Sequence, residues 1–440
     1  MTMEIDKTTY EDLSLFSHEE EYSIFHKLDF TRTIGGKDLL LDYFNNPFSK
    51  LEPILATQKV LSLILDKVDQ WPASISNGTI MVMERFYETA IDDIPQAHNL
   101  PAALNYKIFH APDYSMVRYS VGHFADFVRG MSQLVNLLDR PDRPPLLGEL
   151  LQRARKLLDQ DVLQALGKLE TGVKLNPIQV IYYGNFIRYR FKTAMQSLIE
   201  IHSRLDAWYS MAMAIRRYRL SFPDFVEQDD PYFEASSLYH LLLPAPVAYD
   251  VRLDQHTNFL FLTGANMAGK STFIRSVGVV VFLAHMGMGV PATAMRLSLF
   301  DGILSNINVV DNISKGESFF FNEVQRIRNT LEKISGRKKW LVLIDELFKG
   351  TNVQDAMKCS ITVVQGLIKI RRSLFILSTH LYEIGEDLKV YPNILFNYFE
   401  TAVKDDQLEF SYQLKEGISN DRIGYLILKR EKVVEMLERL

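Results

Sequence analysis

The sequence predicts a multidomain fold of two classes, an α-helical part followed by an α/β part. Three observations predict it. Apolar residues recur at helical spacing through the first half of the chain. From about Leu238 onward, short apolar runs alternate with helical stretches, the pattern of a parallel sheet covered by helices. Within that second part, Gly264-Ala265-Asn266-Met267-Ala268-Gly269-Lys270-Ser271-Thr272 fits G-x-x-x-x-G-K-[ST], a loop that wraps nucleotide phosphates between a strand and a helix.

Taken in order, the elements begin with an acidic, polar stretch from Met1 to Glu21, which is not a secretory signal and reads as an N-terminal extension, residues 1–21. Pro53 suits a helix start, and Ile54-Leu55, Val60-Leu61 and Leu63-Ile64-Leu65 follow on one stripe. Trp71-Pro72, Asn99-Leu100-Pro101 and the stretch from Arg140 to Pro145 mark breaks. The longest helical pattern runs from Pro177 to about Leu220, interrupted only by Gly184. It predicts a helix of ~40 residues, roughly 60 Å long, a spacer or lever in proportion. Arg188, Arg190, Lys192, Arg204, Arg216, Arg217 and Arg219 decorate it. Ser221 to Ala235, with Pro223 and Asp229-Asp230-Pro231, reads as a linker. The expected domains are therefore a helical one at 22–235 and an α/β one at 236–440. Strands are expected at Phe259–Thr263, Trp340–Ile344, Leu374–Ser378 and Glu409–Leu414, and a charged helix at Leu426–Leu440.

Composition narrows the class. The 440 residues allow two or three full cores, and 47% hydrophobic with 23% charged residues is a soluble globular balance. Cys359 is the one cysteine, which excludes an intrachain disulfide and a cysteine metal cluster and suits a reducing cytoplasm. The most apolar stretch, Val277 to Pro291, is too short to span a bilayer and contains His285, so a buried helix is expected there and no membrane partner. Net charge is −5, but residues 1–100 carry 8 basic against 17 acidic side chains and residues 139–219 carry 14 against 8. A basic segment in an acidic protein fits either a nucleic-acid footprint or a solvated helical face.

The chemistry sits around the phosphate loop. Glycines there let backbone N–H groups approach phosphate oxygens, Lys270 reaches the β- and γ-phosphates, and the Ser271 hydroxyl ligates Mg²⁺. The apolar run Asn258–Thr263 before the loop reads as a buried strand, and the helix starting at Thr272 aims its positive dipole end at the phosphates. Trp340-Leu341-Val342-Leu343-Ile344-Asp345-Glu346 is an apolar strand ending in two carboxylates. Asp345 can hold Mg²⁺ through water, and Glu346 can orient and partly deprotonate an attacking water. Leu374-Phe-Ile-Leu-Ser-Thr-His380 ends another strand with an imidazole that can hydrogen-bond the γ-phosphate. Between them lies the polar loop Gly350-Thr351-Asn352 with Asp355.

This order of parts resembles the ABC-type P-loop ATPases, and its wording resembles the MutS family of DNA mismatch repair ATPases. The Asn266-Met267 pair within the loop is similar to the family's phosphate loop, and Ala284-His-Met-Gly-Met-Gly-Val-Pro-Ala292 to the turn that follows. Asp345-Glu-Leu-Phe-Lys-Gly-Thr351 resembles its D-E-x-x-x-G-T segment and Ser378-Thr-His380 its A-T-H. Leu28-Asp-Phe-Thr-Arg-Thr-Ile-Gly-Gly36 is similar to the opening of the family's core domain, and Leu205–Ala212 to the lever returning to the ATPase. The resemblance covers about residues 22–430. It departs where the family has mismatch-reading and connector domains, a full DNA clamp and a C-terminal helix-turn-helix. It departs also at Ser318-Phe319-Phe320, where the family has S-T-F, and near Pro246, where its adenine-stacking aromatic leaves Val247, Tyr249 or Tyr398 as replacements.

The resemblance implies a Mg²⁺-dependent ATPase with ATP as ligand and a homodimer formed through the ATPase domain. One subunit would supply Lys270, Ser271, Asp345, Glu346 and His380, and the other Ser318 and Asn352. It further implies double-stranded or branched DNA and repair proteins as partners, without a mismatch reader of its own. An ATP-switched dimeric scaffold that binds a protein and not DNA is the alternative.

Overall fold

A computed structural model describes residues 2–170, 172, 174–308, 319–404, 407–419 and 433–438. In chain order its elements are β1 (Glu4–Ile5), α1 (Lys7–Asp12), α2 (Ile24–Leu28), α3 (Ile34–Asn45), α4 (Leu51–Leu65), α5 (Asn77–Glu88), α6 (Leu100–Phe109), α7 (Ala111–Leu138), α8 (Pro145–Leu158), α9 (Asp161–Gly167), α10 (Pro177–Asn185) and α11 (Lys192–Tyr218). There follow β2 (Asp224–Phe225), β3 (Phe233–Leu238), β4 (Tyr249–Leu253), β5 (Phe259–Thr263), α12 (Lys270–His285), β6 (Ala294–Leu297), β7 (Gly302–Asn306), α13 (Phe319–Ile334), β8 (Trp340–Asp345), α14 (Val353–Leu367), β9 (Ser373–Ser378), α15 (Glu383–Leu388), β10 (Ile394–Lys404), β11 (Gln407–Glu416) and α16 (Val433–Glu438). The chain is thus a helical part plus an α/β part. It forms two compact units, one of Met1–Lys27, Asn46–Ile54 and Tyr218–Leu440, the other of Leu28–Asn45 and Leu55–Arg217.

The α/β unit is built on a seven-stranded sheet in the order β1-β7-β8-β9-β5-β10-β11, parallel except for the β10–β11 pair. Every residue of β5, β7, β8 and β9 is buried, as continuous apolar strands covered on both faces must be. One face carries a core of Phe259, Phe261, Val342, Ile344, Phe375 and Leu377, with Ile327, Val364 and Ile384 supplied by α13, α14 and α15. Against β8 lies α12, whose run Val277–Ala284 is buried throughout, the helix expected there. Among the described residues no helix is long and apolar enough to cross a membrane. A second sheet, β2-β6-β3-β4, completes the unit.

Two expectations change in this unit. Residues 1–21 are no free extension: β1 pairs in parallel with β7, Glu4 opposite Gly302 and Ile5 opposite Ile303. Helix α1 follows with Asp6 as its N-cap, the Asp6 carboxylate accepting the Thr9 N–H at 3.0 Å. Its last residue, Asp12, is 1% exposed and accepts from the Ser305 hydroxyl at 2.6 Å and from the Ile307 and Asn308 N–H groups at 2.9 and 3.0 Å. A buried carboxylate needs such donors, and the end of β7 supplies them. The second change is at Ser221–Ala235, expected as a linker, which contributes β2 and the first residues of β3.

In the helical unit the 28-residue α7 is central, with α5, α6, α8, α9 and α10 packed on it. Val117, Val121, Phe124, Val128 and Met131 form its buried stripe at helical spacing. The breaks read from the sequence act as caps. Asn99 accepts the Ala102 N–H, Pro144-Pro145 opens α8, and Asn176 and Gln179 close a capping box ahead of Pro177. Near the start of α3, Asp206 of α11 is 1% exposed and takes the Arg32 N–H, the Thr33 N–H and the Thr33 hydroxyl.

The expected single helix from Pro177 to Leu220 is interrupted. Phe186–Arg190 form a π turn, closed by Phe191 N–H to the Phe186 carbonyl at 3.1 Å, and α11 restarts at Lys192. Side-chain hydrogen bonds explain the widened turn. Arg188 donates to the carbonyls of Phe86 and, at 2.9 Å, Thr89, while Asn185 donates to the Ile94 carbonyl at 3.0 Å. Local helical propensity yields to these partners.

Candidate functional site

The phosphate loop leaves β5 and enters α12. Gly264 has φ 141° and a Cβ there would stand 3.2 Å from the Phe399 backbone oxygen of β10, so only glycine fits. Gly269, at φ 109°, turns the chain into α12. Between them Met267 holds φ 71° at the loop tip, 67% exposed. The Lys270 ammonium is folded back onto the loop, donating to the carbonyls of Gly264 at 2.7 Å and Ala265 at 3.0 Å. Burial lowers its pKa, opposed by the negative charges of Glu346 and Asp345.

Sheet register brings the remaining groups in. Asp345 ends β8 opposite Ser378 of β9. The Ser271 hydroxyl donates to one oxygen of the Asp345 carboxylate and the Ser378 hydroxyl to the other. This is a hard, all-oxygen donor pair at the foot of the phosphate loop, the kind that suits Mg²⁺. Glu346 follows at φ 62°, its N–H donating to the Ser378 carbonyl at 2.9 Å. Its carboxylate lies 3.1 Å from the Lys349 ammonium and 3.6 Å from His380 Nδ1. Burial pushes its pKa up, but His380 and Lys349 outweigh burial and hold it down at about 2. Glu346 is therefore ionised across the physiological range.

Asp345, Glu346 and Lys349 face a cleft of about 680 Å³, lined also by the loop residues Ala265, Asn266, Met267, Gly269, Lys270, Ser271 and Thr272 and by Leu243, Ala245, Val247, Tyr249 and Tyr412. The lining thus combines polar and charged groups with apolar and aromatic ones. Of the residues expected near the base, Val247 and Tyr249 line the cleft. Tyr249 is edge-on to Phe273 and Phe399 and buried, whereas Tyr412 is 41% exposed. Tyr398 sits in β10 opposite Thr263 and Lys415.

Lys270, Ser271, Asp345, Glu346 and His380 are thus gathered at one place. Asn352 is used locally: it caps α14, accepting the Asp355 N–H at 3.0 Å and donating to the Asp355 carboxylate at 2.6 Å. Ser318 lies outside the described residues. Sequence reasoning assigns no role to Lys349, Ser378, Glu323 or Tyr412. Lys349 stands inside the Asp345–Thr351 segment and Ser378 beside His380, so nearness in sequence is a usable signal for those two. Glu323 and Tyr412 have none.

A family profile for MutS domain V matches residues 260–436. Over 236 residues the chain is 33% identical to the DNA mismatch repair protein MutS of Leuconostoc citreum, covering 52% of this chain and 27% of that protein. Over 272 residues it is 27% identical to the DNA mismatch repair protein msh3 of Aspergillus fumigatus, covering 57% of this chain and 24% of that one. The MutS protein of Petrotoga mobilis is 27% identical over 241 residues, 54% and 29% of the two chains. The matched part spans about a quarter of the length of these curated relatives. The MutS domain V profile thus lies over the strand, loop and carboxylate arrangement just described, and about half of the chain is similar to MutS-family proteins.

Proposed function

We propose that this chain is a Mg²⁺-dependent ATPase that works as a dimer on DNA in a repair process. The observation that carries the reading is the convergence of Lys270, the Ser271–Asp345 pair and the ionised Glu346 on one cleft that Tyr249 and Tyr412 also line. The loop amides and Lys270 would neutralise the phosphates, releasing Lys270 from its carbonyl partners. Ser271 and Asp345 would hold Mg²⁺, which when bound supplies charge neutralisation between the β- and γ-phosphates. Glu346 would orient the attacking water and take its proton, His380 would hydrogen-bond the γ-phosphate, and Tyr412 and Tyr249 would border the base. A partner copy would complete the site with Ser318 and Asn352. The DNA role is supported by the relatives named as DNA mismatch repair proteins and by the exposed Arg190, Lys192, Arg204, Arg216, Arg217 and Arg219 before, along and after α11.

Replacing Glu346 with Gln removes the base and leaves the phosphate contacts. Steady-state ATPase is expected to fall about 100-fold or more, with ATP binding retained and an ATP-dependent dimer accumulating in sedimentation. Turnover at the wild-type rate would reject the assignment.

A further inference from the structure

Helix α13 and the turn after β8 are distant in sequence, yet one carboxylate joins them. Glu323, on the fifth residue of α13, is 4% exposed. It accepts the Lys349 N–H at 3.2 Å on Oε1 and the Gly350 N–H at 3.4 Å on Oε2, and the Phe348 N–H also faces it. Phe320, one turn earlier, packs on the Phe348 ring with centroids 5.6 Å apart. The turn so held is unusual backbone. Glu346 at φ 62° and Phe348 at φ 60° both lie in the left-handed region, which residues with a Cβ keep only where their surroundings impose it.

From these contacts we infer that Glu323 is the positioning residue for Glu346: it pins the left-handed turn that aims the Glu346 carboxylate into the phosphate cleft. Glu323 is not among the cleft-lining residues and acts through backbone amides. A carboxylate offers acceptors to all three N–H groups, whereas an amide places an NH₂ against one of them. The inference rests on the hydrolytic reading of Glu346, and the two can fail separately.

The test uses the full chain with Mg²⁺ and ATP and compares wild type with Glu323→Gln, which conserves volume, and Glu323→Asp, which keeps the charge but withdraws it by one methylene. Three quantities are read: kcat and KM for ATP, affinity for a non-hydrolysable ATP analogue, and amide hydrogen exchange of residues 346–350. Displacement of a reacting group costs roughly ten- to hundredfold in rate. For Gln we expect kcat to fall by about that factor while KM and analogue affinity stay within about twofold, with faster exchange in the turn. Asp should give a smaller loss of kcat at the same KM. A kcat equal to wild type in both variants, or parallel losses in kcat and analogue binding, would overturn the inference. If the wild type hydrolyses no ATP, the hydrolytic reading falls and the positioning of Glu346 for hydrolysis falls with it, whereas a hydrolysing wild type with unchanged exchange in Gln refutes Glu323 alone. Should Gln not fold, the same three quantities measured on Asp decide in the same way.

Discussion

Glu346 stands between Lys349 and His380, and its titration follows from them. Lys349 at 3.1 Å and His380 at 3.6 Å favour the charged form and hold the carboxyl at about 2 against the upward push of burial. Lys349→Ala removes one of them, so the pKa must rise toward the ordinary 4.5. The acid limb of the pH dependence of kcat should move upward with it; an unmoved limb would show that Lys349 does not set this titration. His285 gives the opposite kind of pH effect. Its Nδ1 donates to the Phe48 carbonyl at 2.8 Å and its Nε2 accepts the Phe300 N–H at 3.3 Å, a pattern open only to the neutral ring. Burial depresses its pKa to about 4, below the unfolded value of 6.5. Its contribution to stability is therefore whole above pH 6.5 and is lost as pH falls toward 4, at up to about 1.4 kcal/mol per pH unit. Urea melts at pH 7 and pH 5 should show the drop, and His285→Gln should reduce it, leaving the part due to His202 and His240, whose pKa values burial likewise lowers to about 4. The groups legible in the sequence are those written contiguously, as in Gly264–Thr272, Asp345-Glu346 and Ser378-Thr-His380. Ser378, marked in sequence by its nearness to His380, gains its partner through register opposite Asp345, and Glu323 becomes meaningful only through tertiary contact with Lys349 and Gly350.

At the level of elements, period and punctuation are informative until a tertiary hydrogen bond competes. The buried strands β5, β8 and β9 and the buried α12 are legible because unbroken apolar runs have few other uses. The π turn at Phe186–Arg190 is not, because it answers to carbonyls of Phe86 and Thr89, 102 and 99 positions from Arg188. Nor is α1, six residues with no apolar stripe, whose place is fixed by polar capping of the β7 end. Asp12→Ala would leave the Ser305 hydroxyl and the Ile307 and Asn308 amides without this acceptor. An unpaired buried donor costs about 1–3 kcal/mol, so a loss of about 3 kcal/mol is expected in a urea titration. A shift below about 0.5 kcal/mol would mean that the end of β7 finds other partners.

For the molecule as a whole, charge is the property that bears on DNA. Arg188 is turned inward onto carbonyls, and Arg216 lies 2.7 Å from Asp69, so the basic decoration of the stretch from Pro177 to Leu220 is smaller than its count suggests. If the proposed DNA role holds, the chain should be retained on duplex DNA at low salt, with log affinity falling by about 0.9 per phosphate contact for each tenfold rise in salt. Charge reversal of Arg216, Arg217 and Arg219 should abolish retention; unchanged binding would move the contact elsewhere. The pairing of β1 with β7 has a consequence in time. Thr9 and Ser305, hydrogen-bonded in the folded unit, are 296 positions apart. At about 5–20 residues per second, a ribosome separates their synthesis by roughly 15–60 s. Through that interval the nascent β1 has no sheet edge to join, and every residue of the helical unit through Arg217 is made before β7 emerges. Strand β1 is thus translated well before the strand with which it pairs.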